Sequence, residues 1–274
     1  MLVPRNPHWK RALLLLATAS LLACAGSAHQ AASKDLRFDT ETAARIRHAS
    51  AVARQGARVL APTATHASSS ILAGLVPFLV TLLGNDNAVD ELEEQLVECA
   101  HQAERLVNLE FFGHRAPTRQ ECGEEVEVDG CGERITRAML LGQRKHALAL
   151  RCAKQVLEQR WPAPFSIEQR YRFYPHARLL ETVSKEEEAR LVSQGCTREL
   201  WRTIKPDLVL HSDSNLLRSA LTLDFKFPCP DTNEPRWTLY GEKSAYAGSN
   251  QGRIYQEALQ GEAVMVSPRW GMTR

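Results

Sequence analysis

Two acidic residues and a lysine lie in two short apolar segments whose side chains alternate as they do in β-strands. Asp207 is near the start of segment 206–211, and Asp224 and Lys226 belong to segment 220–227. Residues two apart on a strand share a face, so Asp224 and Lys226 are displayed side by side. Asp207 approaches Asp224 if the two strands pair as neighbours. Two close carboxylates repel unless a cation lies between them, and oxygen ligands favour Mg²⁺ or Mn²⁺. The pattern predicts a divalent-metal site beside a lysine.

The sequence resembles the PD-(D/E)xK nuclease superfamily in the order of these motifs: Pro206-Asp207 comes first, and Asp224-Phe225-Lys226 follows. In physical terms, Asp207 and Asp224 would hold the metal, which polarises the scissile phosphate and lowers the pKa of a bound water. Lys226 would position that water and offset charge on the phosphate in the transition state. The backbone carbonyl of Phe225 is a further candidate metal ligand. A D-x-K triplet is common by chance, so the interpretation depends on additional motifs.

Two further motifs resemble the RecB-like branch of that superfamily. Gln251 and Tyr255 are four residues apart on a predicted helix, so both look towards the sheet, and we expect them to bind the substrate. Gly142 and His146 match a G-x-x-x-H pattern, and the resemblance implies that His146 joins the metal ligands. A simpler interpretation stays open for each motif, because a lone His is usually structural and an Asp–Lys pair is often an exposed ion pair.

The elements that must position these residues alternate between helix and strand. Residues 133–161 read as a helix that Pro162 ends, and a charged helix follows at about 185–204. Strand signals cover 165–173, 206–211, 220–227 and 263–266. The resemblance implies an α/β, restriction-endonuclease-like fold: a mixed central sheet flanked by helices in α-β-β-β-α-β order, preceded by a mostly helical N-terminal region.

The chain begins with a targeting signal. Three basic residues precede an apolar run at 12–23, which is too short to span a membrane, so the segment is predicted to be a cleaved signal peptide. The stretch Leu21-Leu22-Ala23-Cys24-Ala25 resembles a bacterial lipobox, which implies that 1–23 is a lipoprotein signal peptide and that Cys24 receives the lipid and begins the mature chain. The alternative is ordinary secretory cleavage with an incidental cysteine. Lipid on Cys24 would anchor the protein to a membrane, and Ala25 favours the outer membrane. Residues 24–40 are small and polar, as in a flexible tether.

Residues 41–112 are predicted to form a helical delivery or accessory region. Its clearest element is an amphipathic helix over 88–112. The apolar segment 71–84 reads as a buried helix or one arm of a helical hairpin, and the alternative is a membrane-active segment. Gly113 and Pro117 break the long helix, so we place a boundary there and assign 113–274 to the nuclease-like domain.

Six cysteines remain after Cys24, in a compartment that permits disulfides. Cys122 and Cys131 bracket a polar, turn-rich stretch, so we favour a bridge between them among fifteen pairings. No C-x-x-C occurs in the sequence, so a structural zinc site is not expected.

Composition excludes a disordered, collagenous or polytopic membrane protein, because 44% of the 274 residues are hydrophobic and 24% charged. The net charge is only +2, and residues 113–274 carry 24 Lys and Arg against 21 Asp and Glu. This net positive charge is small for a protein that binds nucleic acid, so evidence for such a substrate has to come from a specific active site. The sequence contains neither a P-loop nor a G-x-S-x-G motif.

An exported nuclease would find no genome in the envelope of the cell that produces it. The order of lipobox, N-terminal region and C-terminal nuclease resembles polymorphic bacterial toxins, in particular SitA-type lipoprotein toxins. That resemblance implies transfer to a neighbouring cell, action in its cytoplasm on DNA in preference to RNA, and a cognate immunity protein. Two alternatives stay open: a non-enzymatic lipoprotein that uses a nuclease-like fold as a binding module, and a membrane-inserting toxin acting through residues 71–84. The sequence also leaves open whether the protein forms a homodimer.

Overall fold

A five-stranded mixed sheet with helices on both faces organises the described part of the chain, which is residues 70–113, 115–129, 132–195 and 199–274 of a computed structural model. The helices are α1 (Ile71–Leu75), α2 (Pro77–Leu83), α3 (Asp86–Phe112), α4 (Arg119–Gly123), α5 (Arg137–Arg160), α6 (Lys185–Ser193) and α7 (Gln251–Leu259). The strands are β1 (Glu125–Val128), β2 (Arg134–Thr136), β3 (Phe165–Ile167), β4 (Tyr171–Tyr174), β5 (Leu179–Thr182), β6 (Thr203–Ile204), β7 (Leu208–Leu210), β8 (Leu221–Phe225), β9 (Glu262–Ser267) and β10 (Gly271–Thr273). The predicted mixed α/β class is confirmed.

The strand order of the main sheet is β10-β9-β8-β7-β3. Strands β3, β7 and β8 are antiparallel neighbours, whereas β9 runs parallel to β8 and β10 returns antiparallel to β9. A parallel pair needs a crossover, and α7 lies in the connection from β8 to β9. All five residues of β8 are buried, so this central strand is covered on both faces.

Two hydrophobic layers follow from the alternation along β8. Leu221, Leu223 and Phe225 belong to a core that they share with apolar residues of α3 and α5. The opposite face carries Thr222 and Asp224, and a second core there includes Tyr255 and other residues of α7. Successive residues of β8 therefore face alternate sides of the sheet. Asp224, the only acidic residue of the strand, lies on the side covered by α7.

The helices that cover the sheet begin at polar caps. The side chain of Asn85 accepts a hydrogen bond from the backbone N–H of Ala88 at the start of α3, and Thr136 caps α5 in the same way. Asn250 caps α7 through the N–H of Arg253. The cap at Asn250 fixes where α7 starts, and therefore where Gln251 stands relative to β8.

The two remaining sheets are small. Strands β1 and β2 form an exposed hairpin, and β5-β4-β6 form a three-stranded antiparallel sheet inserted between β3 and β7. The sequence predicts a single strand over 165–173, but Glu168 has a φ of 46°, and this left-handed residue divides the segment into β3 and β4. The predicted helix over 185–204 is also too long: α6 ends at Ser193, and Gly195 follows with a φ of 68°.

The boundary predicted near residue 113 needs correction, because Ala67–Arg274 form one compact unit. Helix α3 packs along α5 within the same core as the sheet. Residues 71–84 fold as α1 and α2, and their buried residues Leu72 and Leu79 join that core. None of the helices in the described ranges is long and apolar enough to cross a membrane. The signal peptide, the tether and Cys24 lie outside the described residues.

The predicted bridge between Cys122 and Cys131 is wrong. Cys122 is bonded to Cys229, and a second disulfide joins Cys99 of α3 to Cys152 of α5. The partners are 107 and 53 residues apart, so only the tertiary fold brings them together.

Candidate active site

The site is built around Asp207, the residue that precedes β7. Its Oδ2 accepts a hydrogen bond of 2.7 Å from the backbone N–H of Phe225 on the neighbouring strand β8. Strands β7 and β8 are antiparallel partners, with Leu208 opposite Leu223. The predicted neighbourhood of the two strands is confirmed, and it ties the Asp207 carboxylate to the backbone beside Asp224.

Asp224 and Lys226 form a close ion pair on β8 and just beyond its end. The Lys226 ammonium lies 2.5 Å from Oδ2 of Asp224 and donates a second hydrogen bond of 2.7 Å to Oε1 of Gln251. The side chains of Asp224 and Lys226 are 6% and 14% exposed. The interpretation as an exposed ion pair is therefore wrong, since water is largely excluded from both charges.

Gln251 and Tyr255 occupy one face of α7, as their spacing predicts, and each contacts one member of the ion pair. Gln251 accepts from Lys226, and the Tyr255 hydroxyl donates a hydrogen bond of 3.3 Å to Oδ1 of Asp224. Tyr255 is buried, and burial together with the negative charge of Asp224 raises the pKa of its hydroxyl well above the ordinary value. The hydroxyl therefore stays protonated and keeps its role as a donor.

His146 approaches Asp207 from α5, on the other side of the sheet. Its Nδ1 lies 3.0 Å from Oδ2 of Asp207, and its ring packs edge-on against Phe227 at 5.2 Å. Burial lowers the pKa of His146, but the hydrogen bond and the negative charge of Asp207 outweigh it, so the pKa is raised on balance. At 32% exposure, the His146 side chain is more accessible than Asp207, Asp224 or Lys226.

The two carboxylates interact unfavourably. Burial, and then the negative charge of Asp207, raise the pKa of Asp224 to about 6, against the opposing effect of Lys226. A divalent cation between Asp207 and Asp224 would relieve this repulsion, so the donors fit such an ion by charge and by type. In the described ranges, no three His, Cys, Asp or Glu side chains are grouped as a metal-binding cluster. The available donors are thus two carboxylates, with His146 bonded to one of them.

The sequence did not point to an aromatic residue that belongs to the site. Trp237, in the connection between β8 and α7, places its ring 5.4 Å from the Lys226 ammonium and edge-on to Tyr255 at 6.0 Å. A weak signal was Gly252 in the first turn of α7, because a glycine inside a helix is less stable than alanine and can be present for a packing reason.

Comparisons of the chain with protein-family models, curated proteins and solved structures find no match. The geometry of the site is therefore the basis for any assignment of function.

Proposed function

We propose that the protein is a divalent-metal-dependent nuclease with a PD-(D/E)xK-type site, acting on DNA in preference to RNA. The observation that carries the proposal is the convergence of Asp207, Asp224 and Lys226 from two neighbouring strands, with the charges largely withdrawn from water. The alternative of a non-enzymatic binding module predicts that these three residues do not converge. Their convergence favours the enzyme.

The connectivity of the fold supports the same assignment. Elements α5, β3, β7, β8, α7 and β9 follow the α-β-β-β-α-β order, with three antiparallel strands and a fourth strand parallel to the third. A restriction-endonuclease-like core has this order, and β4 to β6 would be an insertion within it. The carboxylates would then lie on the second and third strands of the core, where the motif requires them.

Asp207 and Asp224 would hold Mg²⁺ or Mn²⁺, with the Phe225 carbonyl and His146 as further candidate ligands. When bound, the cation would polarise the phosphate and lower the pKa of a water molecule. The chain's own contribution is positional and electrostatic. Lys226 offers an ammonium to the negative charge that develops on the phosphate, and Gln251 and Tyr255 orient Lys226 and Asp224. We therefore reassign Gln251 and Tyr255 from substrate binding to positioning.

The test is cleavage of nucleic acid by the purified, oxidised protein. We expect supercoiled plasmid to be cut with Mg²⁺ or Mn²⁺ and not with EDTA, and total RNA to be cut more slowly. Asp224→Asn and Lys226→Met should lower the rate by about 100-fold or more, as loss of a preorganised charge in an active site does. Asp213→Asn and Lys243→Ala are matched controls, because both residues are exposed and neither takes part in the site contacts described above. Equal cleavage by wild type and both site variants would contradict the proposal.

We further propose that the nuclease is an exported lipoprotein, anchored through Cys24 and delivered as a toxin to neighbouring cells. The two disulfides support export, because such bonds persist mainly in oxidising compartments. A cognate immunity protein would then protect the producing cell by covering the site. His146 is more accessible than Asp207, Asp224 or Lys226, so an immunity protein could contact it directly.

Two measurements test whether the protein is a lipid-anchored toxin. Metabolic labelling with a radioactive fatty acid should mark the protein and should be lost in Cys24→Ala. Expression of residues 67–274 in the cytoplasm of a strain that permits disulfide formation should be toxic, and Lys226→Met should abolish the toxicity. Toxicity that survives Lys226→Met would point to membrane action instead of nuclease action.

A further inference from the structure

The Trp237 ring contacts both Lys226 and Tyr255. Its ring lies 5.4 Å from the Lys226 ammonium, within the range of a cation–π contact, and edge-on to Tyr255, the donor to Asp224. The Lys226 ammonium therefore has three neighbours on different elements: Asp224 on β8, Gln251 on α7, and Trp237 in the connection between them.

The absence of a side chain at Gly252 leaves space for the Trp237 indole. A Cβ atom at residue 252 would lie 2.5 Å from Cε2 and 2.7 Å from Cδ2 and Nε1 of Trp237. Gly252 follows Gln251 directly, so the indole packs against the first turn of α7 at the point where Gln251 accepts from Lys226. The φ of Gly252 is not in the left-handed region, so backbone conformation does not require glycine here. The close approach of the indole is the physical reason for a glycine at this position.

We propose that Trp237 is a positioning residue for Lys226, and that Gly252 is present to admit its indole. A lysine side chain has four rotatable bonds and three donors, so one ion pair fixes the ammonium incompletely. The indole face limits where the ammonium can move, and the Gln251 carbonyl sets its direction. The catalytic consequence of this arrangement rests on the proposed nuclease function, but the arrangement itself does not.

The kinetic test compares Trp237→Ala, Trp237→Phe and Gly252→Ala in the purified, oxidised protein. We expect kcat to fall by about 10- to 100-fold in Trp237→Ala and Gly252→Ala with KM little changed, since a displacement of about 1 Å has effects of this size. Trp237→Phe keeps an aromatic face and should retain more activity. Alanine is the better helix former, so a loss in Gly252→Ala cannot come from helix propensity.

Two controls separate this role from general effects on folding. Gly74→Ala adds a Cβ to another helical glycine that has open space around it, and should leave kcat unchanged. Trp270→Phe removes the hydrogen bond that the Trp270 indole donates to the backbone carbonyl of Asn233, which lies in the connection between β8 and α7, and should also leave kcat unchanged. An equal loss in Trp270→Phe would overturn the proposal, because anchoring of the connection would then explain the effect.

The double variant Trp237→Ala/Gly252→Ala makes the test sharper. If the Cβ at residue 252 acts by displacing the indole, adding Gly252→Ala to Trp237→Ala should lower kcat no further. Additive losses would overturn the link between the two residues.

A spectroscopic measurement works even if no nucleic acid is cleaved. The ¹H–¹⁵N signal of the Lys226 ammonium group, identified by its absence in Lys226→Arg, should carry an upfield ring-current shift. We expect Trp237→Ala to abolish this shift and Gly252→Ala to change it. An unchanged signal in both variants would overturn the positioning role, whereas a changed signal without any nuclease activity would overturn only the proposed function.

Discussion

At the scale of single residues, Asp224 occupies an unfavourable environment for an ionised carboxylate. It is buried, lies beside a second carboxylate, and is held by Lys226 and Tyr255. Burial and the charge of Asp207 favour its protonated form, whereas Lys226 favours the ionised form. A residue in this position reduces the stability of the folded protein at neutral pH, which is typical of a functional carboxylate.

This environment predicts a specific dependence of stability on pH. The folded pKa of Asp224 is about 6, above its ordinary 3.8, so the folded protein keeps a proton that the unfolded chain has already released. The contribution of Asp224 to the free energy of unfolding is therefore present at low pH and is lost as the pH rises from about 4 towards 7. The loss from this one group should amount to a few kcal/mol at most.

The measurement is urea denaturation of wild type and Asp224→Asn in EDTA across that pH range. The difference in the free energy of unfolding, wild type minus variant, should decrease between about pH 4 and 7, because contributions of unrelated groups cancel. Asp213→Asn, which changes an exposed aspartate, should give a constant difference. A difference that increases with pH would show that Asp224 is stabilised as a carboxylate.

The sequence could predict the ion pair but not the residue that positions it. Asp224 and Lys226 are two apart on a strand, and Gln251 and Tyr255 are four apart on a helix, so local periodicity places each pair on one face. Trp237 lies in an irregular connection, and its contact with Lys226 depends on how that connection folds back over the sheet. No local period encodes such a contact.

At the scale of elements, the sequence predicts those that bury one regular face. The helix predicted over 88–112 is α3 at Asp86–Phe112, and the strand predicted over 263–266 lies within β9. The hairpin of β1 and β2 was not predicted, although β1 (Glu125–Val128) alternates polar and apolar residues, because the segment is only four residues long and lies in a polar stretch bounded by glycines that is typical of a turn. The place of α3 was also unpredictable, since amphipathicity shows that a helix has a partner and not which partner it has.

The contact between α3 and α5 includes a buried ion pair, from which a stability prediction follows. The Lys145 ammonium lies 2.9 Å from Oε1 of Glu104, and the two side chains are 2% and 14% exposed. Glu104→Ala would leave the lysine charge buried without its partner, so we expect it to lower the free energy of unfolding by about 3 kcal/mol or more. Urea denaturation measures this loss.

A matched control lies on the same helix. Glu98 pairs with Arg105 at 2.7 Å, but these side chains are 48% and 61% exposed, so Glu98→Ala should cost about 1 kcal/mol at most. The double variant Glu104→Leu/Lys145→Met replaces the buried pair by apolar side chains and should recover most of the lost stability. If Glu104→Ala and Glu98→Ala lower the free energy of unfolding equally, the Glu104–Lys145 ion pair would not be buried between α3 and α5.

At the scale of the whole molecule, two disulfides connect distant parts of the compact unit to the elements that carry the site. Cys152 lies on α5, the helix of His146, and Cys229 is three residues beyond Lys226. Their pairing could not be predicted from the sequence, because six cysteines allow many pairings and local spacing favours a near neighbour. The fold instead selects partners 53 and 107 residues apart.

These two bonds should contribute similarly to stability and differently to activity. Chain-entropy arguments give about 4 kcal/mol for the 53-residue separation and about 5 kcal/mol for the 107-residue separation. We therefore expect Cys99→Ser/Cys152→Ser and Cys122→Ser/Cys229→Ser each to lower the free energy of unfolding by several kcal/mol in urea denaturation. Only the Cys122–Cys229 bond restrains the chain directly after Lys226, so only its removal should also lower kcat under conditions where both variants are fully folded. Equal kcat in the two variants would mean that β8 and α7 hold Lys226 without help from this covalent bond.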